Sequence, residues 1–126
     1  VEQGFFTYRS GLDAAEHILA RDNPPTAIFA SNDDMAAATV AIAHRNGLDV
    51  PGDLTVCGFD DTELASSIWP ELTTIHQPIA SMADAAIEIL LRTIRRRSEG
   101  VRVLTDLVVP HRLVVRDSVT RPPGSR

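Results

Sequence analysis

The sequence predicts an α/β fold, a parallel sheet flanked by helices. Short apolar runs alternate with stretches of helical periodicity along the chain, the order expected of strands joined by helical crossovers. The runs are continuously apolar, as in strands buried on both faces. Each stops abruptly on polar residues: Asn32-Asp33 after 27–30, Asp60-Asp61 after 54–59, and His76-Gln77 after 72–75. A chain that opens on a loop and a helix lacks the strand that normally precedes that helix. The fold is therefore expected to be incomplete in this chain, a piece of a larger α/β protein.

Residues 1–8 read as a loop or strand end carrying the aromatic residues Phe5, Phe6 and Tyr8. Ser10 offers a helix cap. Leu12, Ala15, Ile18 and Leu19 then give one apolar stripe through 11–21, and Asn23-Pro24-Pro25 ends the helix. Residues 27–30, Ala-Ile-Phe-Ala, are a buried strand, and Ser31-Asn32-Asp33 supplies caps for the next helix. That helix, 34–46, presents Met35, Ala38, Ile42 and Ala43 to a core. Gly47 is its left-handed stop, with Leu48 packing back. Residues 50–53 are a turn, and 54–59 are a strand in which Gly58 leaves room for a close neighbour. Residues 63–67 form one short helical turn, and 72–75 another short strand. The longest helical signal spans 79–97, where Ile79, Met82, Ala83, Ala86, Ile87, Leu90, Leu91 and Ile94 make a wide apolar face. Arg95, Arg96 and Arg97 suit the negative end of its dipole, and Gly100 breaks it. Residues 101–109 and 111–115 are β-rich, split by Pro110, and the tail from Thr120 is loose.

Composition bounds the function. A length of 126 residues fits one small domain. With 44% hydrophobic but only 5% aromatic residues, the core must be aliphatic. A net charge of -5 argues against a nucleic-acid-binding face within this segment. The chain has no lysine, which excludes a lysine nucleophile, a Schiff base or a phosphate-loop lysine here. The single Cys57 reads as an inert thiol within a strand, compatible with a reducing compartment. No run is long and apolar enough to cross a membrane. No signal-peptide pattern opens the chain, and the opening itself reads as internal.

The three polar strand ends should meet at one edge of a parallel sheet, the edge where ligands bind in open α/β folds. An Asp there can accept from two neighbouring hydroxyls and an Asn can both donate and accept, so the set suits a polyhydroxylated ligand. Phe6 could cover the C–H side of a sugar ring. Each residue also has a plainer reading. Asn32 and Asp33 could cap the following helix, Asp61 could cap the 63–67 turn, and His76 could be a hydrogen-bonded loop residue. Asp60 is the hardest to assign a purely structural task. Enzyme readings find little support: there is no glycine-rich phosphate loop, no nucleophile elbow at Ser31 and no Cys/His spacing for zinc. An Mg²⁺ site on Asp60-Asp61 lacks the lysine that phosphoryl transfer would need. Neither a metal nor a cofactor is expected.

Residues 27–36 (Ala-Ile-Phe-Ala-Ser-Asn-Asp-Asp-Met-Ala), 47–56, 58–62 (Gly-Phe-Asp-Asp-Thr), 70–78 (Pro-Glu-Leu-Thr-Thr-Ile-His-Gln-Pro) and 110–118 resemble, in order, successive segments of lactose-repressor (LacI/GalR) family regulators. The resemblance covers nearly the whole chain and corresponds to the last third or so of such a protein. It implies a periplasmic-binding-protein-like fold of type I, whose two α/β lobes close over a small ligand, often a sugar and in some members a purine. By that resemblance, 1–77 belong to the C-terminal lobe, 78–109 supply a helix and strand to the N-terminal lobe, 110–119 are the return strand and 120–126 a flexible tail. The implied ligand-binding residues are Phe6, Asn32, Asp60 and Gln77. Ala37 and Ile68 are the implied dimer-interface residues.

The implied function is effector sensing and dimerisation in a cytoplasmic transcriptional regulator. It would reach operator DNA only through a helix-turn-helix that this segment does not contain, and no membrane is involved. The rival reading is the sugar-binding subunit of a transport system with the same fold; a sugar-processing enzyme using Asp60-Asp61 is the third.

Overall fold

The computed structural model describes residues 1–97 and 106–121. The chain divides into two compact units, Val1–His76 with Leu113–Arg126, and Gln77–Arg112. The expected helix break at Gly100, the start of the 101–109 β segment and most of the tail lie outside the described residues.

In the first unit, α1 (Tyr8–Leu19) precedes β1 (Ala27–Phe29), α2 (Asp33–Arg45), β2 (Thr55–Cys57), a 3₁₀ turn (Glu63–Ser66) and β3 (Thr74–His76). β4 (Arg112–Val114) lies beside β3. β1 and β2 run parallel, with Ile28 opposite Val56. Parallel bridges from Cys57 to Thr73 and from Asp60 to His76 carry the same direction into β3. The strands are shorter than the apolar runs that predict them, and His76 belongs to β3 rather than to the loop after it.

α1 begins earlier than its apolar stripe suggests. Its cap is Thr7, whose side chain accepts from the Ser10 backbone N–H while Ser10 reaches back, a reciprocal capping box. Ser10 is thus the third helical residue and not the cap. α2 follows the prediction closely. Asn32 caps it, and Met35, Ala38, Ile42 and Ala43 are all buried. Gly47 closes it at φ 74°, with the Leu48 N–H on the Ala43 carbonyl at 2.9 Å.

The core is aliphatic, as the composition requires. Val40, Ala43, Val50, Leu54, Val56 and Leu72 form its centre, with Leu19, Ile28, Leu48, Leu64 and Ile68 packed around it. The aromatic residues Phe5, Phe6, Tyr8, Phe29 and Trp69 are all exposed. Residues 116–118 tie this unit together. The Val56 N–H donates to the Ser118 carbonyl, while the buried Ser118 hydroxyl donates to the Val56 carbonyl at 2.6 Å and accepts from the Thr73 N–H at 2.8 Å.

The second unit contains α3 (Ile79–Arg97) as predicted. It is entered through bonds from the Ile79 N–H to the Gln77 carbonyl and from the Met82 N–H to the Pro78 carbonyl. Its apolar residues Ile79, Met82, Ile87, Leu90, Leu91 and Ile94 are exposed. No described helix is long and apolar enough to cross a membrane.

Candidate functional site

Because β1, β2 and β3 run parallel, their C-terminal ends share one rim of the first unit. The residues following β1, those following β2 and the end of β3 meet there. Asn32 sits just beyond β1 at 7% exposure, its Oδ1 accepting from the Met35 N–H at 3.0 Å. Its Nδ2 donates to the Phe6 carbonyl at 3.0 Å, so the capping residue of α2 also braces the loop before α1. This bond places the Phe6 backbone beside the Asn32 amide. Phe6 is 66% exposed and has φ 57°. Among the described residues, the two bonds of Asn32 leave one amide hydrogen over.

Asp60 follows β2 on the same rim. Its N–H donates to the Ile75 carbonyl at 2.9 Å, and its φ is 113°. Asp61 follows at φ 56°. A non-glycine residue with positive φ is uncommon, and one well outside the left-handed helical well costs about 1–3 kcal/mol. Phe6, Asp60 and Asp61 are the only non-glycine positive-φ residues described, and all three lie on this rim.

Asp61 does not cap the 3₁₀ turn; that position falls to Thr62, which makes no side-chain cap bond. Instead its carboxylate is held at both oxygens, by Arg116 Nη2 at 2.6 Å and His76 Nδ1 at 2.9 Å. Burial alone would push the Asp61 carboxyl up. The hydrogen bonds and charges of Arg116 and His76 outweigh that and hold it below the usual carboxylate range. His76 is thus the hydrogen-bonded residue of its plainer reading, now with a named partner.

Asp33, behind the rim, is buried at 1% exposure. One of its oxygens accepts from the Thr62 N–H at 2.7 Å and the Thr62 hydroxyl at 3.2 Å, and the other from the Thr74 hydroxyl at 2.6 Å. It draws the start of α2, the loop after β2 and β3 to one point. Gly58 permits this, since a Cβ there would lie 2.4 Å from Asp33 Oδ1. Burial and the neighbouring Asp33 charge push the half-buried Cys57 thiol up, consistent with an inert sulfur. Among the described residues no group of His, Cys, Asp and Glu could hold a metal ion.

Gln77 opens the second unit, half-buried, its carbonyl accepting from the Ile79 N–H at 2.9 Å. Ala37, an implied interface residue, lies on the inner side of α2. It is 4% exposed within the core cluster, so it has almost no surface for a partner to touch. Ile68 is half-buried against that core, and its neighbour Trp69 is 74% exposed with its ring tilted over His44 at 5.8 Å. Sequence reasoning passed over Arg116, Ser118, Trp69 and His44. Only Trp69 carries a local signal, as the chain's lone tryptophan.

The profile of the periplasmic binding protein-like domain matches residues 3–119. Catabolite control protein A of Priestia megaterium is 35% identical over 118 residues, covering 94% of this chain and 35% of that protein. The HTH-type transcriptional repressor PurR of Vibrio campbellii is 39% identical over 121 residues, covering 96% of this chain and 35% of PurR. This chain therefore spans about a third of the length of these relatives. Among solved structures, the transcriptional regulator CelR–cellobiose complex matches with a TM-score of 0.80 at 32% identity, over 91% of this chain and 34% of that one. The lac repressor dimer bound to operator and the anti-inducer ONPF matches with a TM-score of 0.82 at 31% identity, over 94% of this chain and 40% of that one.

Proposed function

Since the chain belongs to the periplasmic-binding-protein-like domain family, in the form carried by LacI-type transcriptional regulators, we propose that it is the part of such a regulator that senses a sugar-like effector and helps it dimerise. The observation that carries this reading is the rim, where Phe6, Asp60 and Asp61 hold positive φ beside Asn32. Backbone strain of this kind persists where the surrounding structure over-determines it, and it concentrates at ligand-binding positions. A ring, an amide and a carboxylate on one rim match the needs of a ligand with many hydroxyls. A cellobiose complex among the similar structures supports a sugar as the ligand class. Gln77, next in the chain after His76, joins Phe6, Asn32 and Asp60 as a proposed ligand contact.

The dimer face lies around Ile68, Trp69 and His44 rather than on the buried Ala37. A large exposed aromatic beside a half-buried aliphatic is the composition of an interface centre. In the full-length protein this region would act in the cytoplasm. Effector binding would change how the DNA-binding heads meet operator DNA, a coupling between two separate sites.

Asp60→Ala in the full-length protein is the test. Asn32 would be a poor choice, because its loss removes a helix cap and the Phe6 brace together. Asp60→Ala should abolish effector-dependent release or capture of operator DNA in a fluorescence-anisotropy titration against a panel of mono- and disaccharides. Operator affinity without effector should be unchanged. A variant that responds at the same sugar concentration as the parent would refute the site.

A further inference from the structure

Two successive positive-φ residues need something to hold them, and among the contacts that reach residues 60–62 are three anchors of different kinds. The Asp60 N–H is on the Ile75 carbonyl, the Thr62 N–H is on Asp33, and the Asp61 carboxylate lies between Arg116 and His76. The first anchor is backbone and the second is in the core. The third is made wholly of side chains, and it reaches the residue adjacent to Asp60. We propose that Arg116 and His76 are positioning residues which, acting through Asp61, hold the Asp60 backbone in its left-handed conformation. If Asp60 contacts the effector as proposed above, they thereby set the geometry of that contact.

The details of Arg116 fit this role. At 18% side-chain exposure it is mostly buried. Its Nη1 donates to the Leu72 carbonyl at 2.8 Å, its Nη2 to Asp61, and its Nε faces Glu71 at 3.6 Å. A planar guanidinium can serve these directions at once, whereas an ammonium on a flexible stem cannot. The Arg116 backbone is fixed too, its N–H donating to Thr73 Oγ1 at 2.9 Å and its carbonyl accepting from the same hydroxyl at 3.2 Å. His76 is fixed by its place in β3 and its bridge to Asp60. Of the charged and titratable groups facing Asp61, His76 comes from β3 and Arg116 from the segment after β4, and Glu71 faces Arg116 from the far side.

The test uses residue-resolved amide exchange by NMR in the full-length, ligand-free protein. Arg116→Ala and His76→Ala should each speed exchange of the Asp60 N–H about tenfold or more, while the Ala36 and Leu48 amides keep the parent rate. His76→Asn, whose amide nitrogen takes the place of Nδ1, should restore the Asp60 rate to within about twofold of the parent. If Arg116→Ala does not fold, Arg116→Lys takes its place and should also speed the exchange. An unchanged Asp60 amide, or His76→Asn as fast as His76→Ala, would overturn the proposal.

Calorimetric titration with cellobiose and with hypoxanthine forms a second arm. Whichever probe the parent binds should bind His76→Ala about tenfold more weakly and His76→Asn nearly as well as the parent, the size expected when a partner behind a ligand contact is removed. A parent that binds neither probe counts against the ligand classes named above, and the exchange rates still decide the roles of Arg116 and His76.

Discussion

Asp33 keeps a carboxylate at 1% exposure, and three hydrogen bonds make that tolerable. Removing it leaves the Thr62 N–H and the Thr74 hydroxyl without their acceptor in a dry place. Asp33→Ala should therefore cost about 3 kcal/mol in equilibrium unfolding of the full-length protein. Gly58→Ala attacks the same arrangement from the opposite side, since its Cβ would stand 2.4 Å from Asp33 Oδ1 and 3.2 Å from the Ala36 Cβ. It should cost about 2 kcal/mol, and the double variant should cost less than the sum because both act on one contact. Asp61 has a different signature. Its carboxyl is held below the usual range in the folded state, so its ion pair stabilises fully above the unfolded value of about 3.9 and fades as pH falls through the lower folded value. Asp61→Asn should cost about 2 kcal/mol at neutral pH, below the range for a fully buried pair because Leu72 and Glu71 still hold Arg116. Urea midpoints of parent and variant should converge as the pH is lowered from about 4 to about 2; a constant gap would contradict the assignment.

Among elements, α1 crosses α2 at close range. A Cβ at Gly11 would lie 2.7 Å from the Met35 Cα and 2.8 Å from the Ala38 Cβ, so the helices meet backbone to backbone. Arg45 on α2 pairs with Glu16 on α1 farther along. Gly11→Ala should force the helices apart and cost about 1–3 kcal/mol, read from thermal unfolding. Short-range signals explain what was readable in the sequence at this scale. Asn32 before an alanine-rich helix, Gly47 after it and the stripe of α3 each lie within a few residues of what they specify. Thr7 and Ser10 show the ambiguity of such signals, because both residues of a capping box look like caps. The grip on Asp61 was not readable, since its partners lie 15 and 55 residues away and nothing local distinguishes Arg116 from another surface arginine. The burial of Ala37 was not readable for a related reason: an alanine on a helix fits a core as well as an interface, and only packing decides.

For the whole molecule, two unpartnered surfaces matter. Phe29 stands 63% exposed on β1, whose one described strand neighbour is β2, and α3 shows an apolar face among the described residues. Such surfaces template further pairing. Expressed alone, residues 1–126 should self-associate, and sedimentation velocity should show mass rising with concentration; a monomer at high concentration would count against this. The first unit has a second property of the same scale. It is assembled from two stretches of chain with the second unit inserted between them, and the later stretch supplies Ser118 to the backbone of Val56 and Thr73. On the ribosome, those strands emerge long before the serine that completes them. The nascent chain must wait with open backbone groups at its centre until Ser118 has been made. A premature stop codon anywhere before Ser118 would therefore leave a product unfinished in its interior, and not merely shortened at one end.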